Sequence, residues 1–85
     1  MKYIVTNTKG LDGIGINEIG KTDNVKEVNK IINAYINNIG FKSYYWRTLM
    51  YEDINKLVID YGSYIDFISI QCDSEESYRA YLDNN

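Results

Sequence analysis

From residue 24 to residue 39 the apolar side chains Val25, Val28, Ile32, Tyr35, Ile36 and Ile39 recur at helical steps, so they form a stripe along one face of an α-helix. Lys26, Asn29, Lys30, Asn33 and Asn37 fall on the other side, towards water. Asn24 with Glu27 three residues on has capping-box spacing, and Gly40 stands where a left-handed C-terminal cap is wanted. The rest of the chain reads as cover for that stripe. Upstream, the β-rich run 2–8 (KYIVTNT) predicts a first strand. Gly10, Asp12 and Gly13 supply turn chemistry, and Ile14, Ile16 and Glu18 alternate with Gly15 and Asn17. A second strand over 13–19, closed by Gly20, would complete a hairpin.

Downstream, aromatic density in 41–47 (FKSYYWR) predicts a third strand. Thr48 then reads as the cap of a second helix over 49–61, where Met50, Ile54, Leu57, Val58 and Tyr61 keep helical steps before Gly62. The run 64–72 (YIDFISIQC) is the plainest strand, with Ile68, Ile70 and Cys72 on one face and Phe67 and Ser69 on the other. Apolar Ile65 and Phe67 on its second face place it centrally or under cover on both sides. Asp73 and Glu76 form another cap-and-N3 pair, opening a short helix that offers Tyr78, Tyr81 and Leu82 to the body and Glu75, Glu76 and Asp83 to water. The predicted order is ββαβαβα. That is an α+β fold in which a small sheet of about four strands carries two main helices and a short C-terminal helix.

Eighty-five residues accommodate one domain, 1–85, with one modest core, and no proline, repeat or linker interrupts it. The 45% hydrophobic content is enough for folding, and disorder would need less apolar or more net charge. Heavy use of Ile, Asn, Tyr and Lys, all with A/T-rich codons, points to a low-GC bacterium or one of its phages. A net charge of −3 withholds the basic face that nucleic-acid backbones require, so no direct nucleic-acid partner is expected. The lone Cys72 rules out an internal disulfide and reads as a buried thiol in a reducing compartment. Neither a signal-like leader nor a membrane-length apolar run occurs, so the expected location is the cytoplasm of a bacterial host, away from membranes. With no histidine and one cysteine, a zinc site lacks ligands and imidazole catalysis is excluded. No metal, cofactor or catalytic residue is expected.

One formal motif is present. Gly15-Ile16-Asn17-Glu18-Ile19-Gly20-Lys21-Thr22 matches G-x-x-x-x-G-K-[ST], the loop that cradles phosphates, and 57–60 (LVID) resembles an apolar run ending in a magnesium-binding acid. Against it, the match does not directly follow the first strand, Ile16 and Ile19 look like strand residues, Glu18 would set a carboxylate among phosphates, and Asp60 falls in the predicted second helix. A hairpin strand with glycine ends is the preferred reading, and a nucleotide- or phosphate-binding module the alternative.

Tyr44, Tyr45, Trp46 and Arg47 form the densest aromatic cluster. Its rings either pack beneath the helices, or expose Tyr45 and Arg47 as binding anchors, or stack on single-stranded bases. Glu52 and Asp53 would open the second helix, and Asp73, Glu75 and Glu76 the third. Helix dipoles explain both placements, and an acidic face for a basic partner is the functional reading. Tyr45, Arg47, Glu52, Asp53, Asp73, Glu75 and Glu76 are therefore the candidate partner-binding residues. Together they describe a small, acidic, non-enzymatic module that works by occupying a protein surface. A structural unit whose aromatic face is a homodimer seam is a further alternative.

In size, acidity, A/T-rich composition and tyrosine content over its whole length, the chain resembles small phage-encoded inhibitors of bacterial defence, of which anti-CRISPR proteins are the best-known group. The resemblance implies an inhibitor that blocks a CRISPR nuclease or a similar nucleic-acid-handling effector, with imitation of DNA charge as one mode. No residue role is carried over from it.

Overall fold

In the computed structural model, which describes residues 1–10, 14–42 and 45–84 and only the backbone at 14 and 15, Ile68 and Ile70 of the last predicted strand lie at the middle of the sheet. The chain forms β1 (Tyr3–Lys9), β2 (Ile14–Thr22), α1 (Val25–Asn38), β3 (Arg47–Tyr51), a 3-10 turn (Glu52–Ile54), β4 (Lys56–Asp60), β5 (Asp66–Cys72) and α2 (Glu75–Asp83). The strands build one antiparallel sheet in the order β2-β1-β5-β4-β3. The fold is α+β, with five strands and two helices among the described residues.

Register explains which face is covered. Val5 lies opposite Ile70, Ile70 opposite Leu57, and Ile68 opposite Ile59, so these side chains share one face. They are fully buried and pack with Val28, Ile32 and Ile36 of α1 and Tyr78 and Tyr81 of α2. Both helices therefore lie on that face. The opposite face carries neither. A row of Glu18, Thr6, Ser69, Val58 and Leu49 runs across it from edge to edge.

α1 follows the expected stripe, with two differences. Ile31 joins the core, whereas Ile39 is the C-cap residue and remains exposed. The cap also differs from a capping box. The Asn24 side chain accepts from the Lys26 N–H at 2.9 Å, Thr22 Oγ1 accepts from the Asn24 N–H at 3.0 Å, and the Glu27 carboxylate turns outward to Lys30. Threonine thus takes the place expected of the glutamate. Gly40 adopts φ +71° at the helix end, as the sequence predicts.

The predicted second helix does not form. Residues 49–61 instead contain most of β3, the 3-10 turn and all of β4, with Asn55 in the left-handed region at the turn. Leu57, Val58 and Ile59 are all buried, which a strand flanked on both edges by β5 and β3 allows and a one-sided helix does not. Thr48 is a strand residue, not a cap, and the third strand begins only at Arg47. The predicted strand over 41–47 lies largely in the connection, and its residues 43 and 44 are outside the described residues, as is the Asp12-Gly13 turn. The N-cap of α2 sits one residue later than expected: Ser74 accepts from the Ser77 N–H at 3.1 Å.

β2 runs past Gly20 to Thr22, and the bare backbone there admits α1. A Cβ at Gly20 would stand 2.7 Å from Ile31 Cγ2. Gly20→Ala is expected to cost about 1–3 kcal/mol through this overlap, read as a lower urea midpoint with an unchanged denaturant slope.

Candidate functional site

After β4 the chain passes through Tyr61, whose ring is buried and meets Phe41 edge-on at 5.2 Å between centroids. Gly62 then turns with φ +101°, a conformation an L-residue resists. The turn is pinned on both sides. Asp60 accepts from the Gly62 N–H at 3.0 Å, and Ser63 Oγ accepts from the Asp66 N–H at 3.1 Å. The result is a fixed loop that holds Tyr64 at 99% and Ile65 at 60% exposure. Such exposure of two apolar side chains on a braced backbone is not accounted for by packing.

Beside them opens a groove of about 810 Å³, lined by Phe41, Lys42, Tyr45, Asp60, Tyr64 and Ile65 with Gly62 and Ser63. Its walls are mostly apolar. At its rim Arg47 pairs with Asp60 at 3.3 Å and holds its guanidinium 6.0 Å from the centre of the Tyr45 ring. The predicted anchors Tyr45 and Arg47 therefore do belong to one surface.

The predicted acids stand elsewhere. Glu52 and Asp53 lie in the 3-10 turn, and Arg79 of α2 reaches Glu52 and, at 3.7 Å, Glu75. Asp73 accepts from Ser77 Oγ at 2.6 Å, a bond that holds its carboxyl below the ordinary carboxylate value; Ser74 and Lys2 act in the same direction. Glu76 is exposed on the first turn of α2. This acidic end lies by Lys56, at the start of β4, whereas the groove lies by Asp60, at its finish. A strand of that length separates them by roughly 15 Å. The seven candidates thus form two patches, not one, and Arg79 neutralises part of the acidic one. Tyr64, Ile65 and Phe41 were not among them. The Gly62-Ser63 pair was the available signal that the following Tyr64 and Ile65 belong to a turn.

The phosphate-loop match is strand. Residues 15–22 lie within β2, with Gly20 opposite Val5 and Lys21 opposite Ile4, so this backbone follows a ladder instead of curling around an anion. Asp60 does end a strand, contrary to the helix expected for it, but β1 and β5 stand between β2 and β4. Lys21 and Asp60 also sit towards opposite ends of the sheet. Cys72 is buried, and burial first, then Asp73, push its thiol up to about 11, so it stays protonated and unreactive at neutral pH. Among the described residues no group of three or more His, Cys, Asp or Glu could hold a metal ion, and no helix is long and apolar enough to cross a membrane. Compared with family models, curated proteins and solved structures, the chain matches none.

Proposed function

We propose that this chain is a small acidic binding module that acts without chemistry of its own, by seating the groove between Tyr45 and Tyr64 on a partner protein. The braced exposure of Tyr64 and Ile65 beside that groove carries the reading. A tyrosine on a backbone already braced spares the loop the cost of ordering on binding and contributes a large amphipathic surface, the chemistry of an interface anchor. The Arg47–Asp60 pair supplies a polar rim. The acidic end steers the net −3 chain towards a basic protein, and a bacterial nucleic-acid-handling effector such as a CRISPR nuclease is the partner class we assign, as the overall resemblance implies.

The test is retention of a purified effector, or of a host-lysate protein, on the immobilised chain. The double variant Tyr64→Ala, Ile65→Ser should weaken retention by about 2 kcal/mol or more, roughly 30-fold, with melting unchanged because both side chains are exposed. Full retention by that variant, with loss on charge reversal at Glu75 and Glu76, would move the site to the acidic end. Absence of any specific partner would end the proposal.

A further inference from the structure

The two edges of the sheet are built differently. β2 meets β1 with two breaks in register, contains Gly15 and Gly20, and exposes Glu18 and Lys21. Bulges, glycines and charges of this kind discourage a further strand from adding to an edge. β3 has neither the breaks nor the glycines, and its one charge, Arg47, is already paired with Asp60. It meets β4 in five unbroken pairs, from Arg47 opposite Asp60 to Tyr51 opposite Lys56, and it contains no glycine, proline or lysine. Among the described residues no strand pairs with its outer side. Its surface is apolar for an edge: Met50 is 63% exposed, and Tyr51 and the preceding Trp46 are exposed as well.

The strand Arg-Thr-Leu-Met-Tyr also complements itself. Laid antiparallel against a copy and centred on Leu49, it sets leucine against leucine, Thr48 against Met50, and Arg47 against Tyr51, each of the last two pairs twice. Arg47 and Tyr51 lie on the face without helices, where Arg47 is already paired with Asp60. Its guanidinium therefore keeps a counter-charge while its flat face meets the ring. We propose that β3 pairs antiparallel with β3 of a second copy of this chain, about a two-fold axis at Leu49, giving a continuous ten-stranded sheet with all four helices on one side. The same register carries the second copy's 3-10 turn, with Glu52 and Asp53, alongside Trp46 and Tyr45. The two patches that one chain holds apart become neighbours across the axis.

Sedimentation equilibrium of the full chain across the micromolar range should give a mass rising reversibly to twice the 9.9 kDa of one chain. Met50→Lys adds to this edge the charge that protected edges carry, at an exposed site that should leave folding intact by circular dichroism. It should weaken association about tenfold or more. Across such a pair the two residue-49 Cα atoms lie within disulfide range, so Leu49→Cys should cross-link to a dimer on mild oxidation whereas Tyr64→Cys should not. If Leu49→Cys does not fold, the Met50→Lys result decides. A chain monomeric throughout overturns the proposal. So does a dimer indifferent to Met50→Lys, or one that cross-links through Tyr64→Cys, which would place the seam at the groove. A monomer that loses partner capture on Met50→Lys overturns it too, because the edge would then serve another protein's strand. Loss of dimerisation with partner retention intact leaves the groove reading standing, so the two proposals fail separately.

Discussion

Ile70→Ala is expected to lower the free energy of unfolding by about 2–5 kcal/mol, the largest effect of any single truncation considered. Ile70 is fully buried, lies between Val5 and Leu57 in the register of the central strands, and belongs to the cluster covered by both helices. Removing its outer carbons forfeits burial and leaves a void that a sheet held on both sides cannot close. A chain of this size is stabilised by only roughly 4–13 kcal/mol in total, so the variant should melt at least about 10 °C lower. Urea unfolding followed by circular dichroism measures it. Ile16→Ala is the control: at 60% exposure it should change stability by less than about 0.5 kcal/mol. Equal losses at the two positions would contradict the assigned faces of the sheet.

The second large effect is alkaline unfolding. Tyr3, Tyr61, Tyr78 and Tyr81 are buried, and burial is the first cause that raises each hydroxyl above the ordinary value of 10.0. Tyr61 is pushed up to about 12 with help from Asp66 and Tyr35. Tyr81 also reaches about 12, although its 2.7 Å hydrogen bond to Asn29 pulls the other way. The Cys72 thiol rises from 9.0 to about 11. Folded chains therefore keep protons that unfolded chains release, so stability falls as pH rises. The contribution is whole below about pH 9 and is lost progressively towards pH 12, by an amount on the order of a few kcal/mol for the group together. Tyrosinate absorbance from the buried rings should appear in the same cooperative step as the loss of helical dichroism. Ionisation of those rings well before any loss of structure would show that they are not sealed.

The first helix, the hairpin strands and the tyrosine face of α2 were legible because each has one period and one buried side, and the central strand because Ile68, Ile70 and Cys72 alternate without interruption. The stretch 49–61 was not. Met50, Ile54, Leu57, Val58 and Tyr61 satisfy helical spacing, yet Met50 and Ile54 are exposed and the spacing arises from two short strands joined at Asn55. The consecutive Leu57, Val58 and Ile59 fit a strand flanked on both sides, but a run of that length does not distinguish strand from helix. That error also placed Asp60 in a helix, and Asp60 was not among the candidate residues although it anchors both Arg47 and the Gly62 turn. Tyr45 and Arg47 were chosen from residue type and from their place in the aromatic cluster 44–47. Their separation from the acids depended on strand direction, which composition does not encode.

The seam between β1 and β5 has a kinetic corollary. Tyr3 finds its neighbour at Cys72, nearly the whole length of the chain away, while β1 with β2 and β3 with β4 and β5 are joined locally. During synthesis the first hairpin and its helix emerge with an open flank, and nothing can close it until the last strand has left the ribosome. Closing the sheet at this seam therefore carries the entropy of a long loop in its barrier. Folding slower than in a helical bundle of equal length is the outcome, and for that interval the flank of β1 lies bare to whatever strand reaches it first.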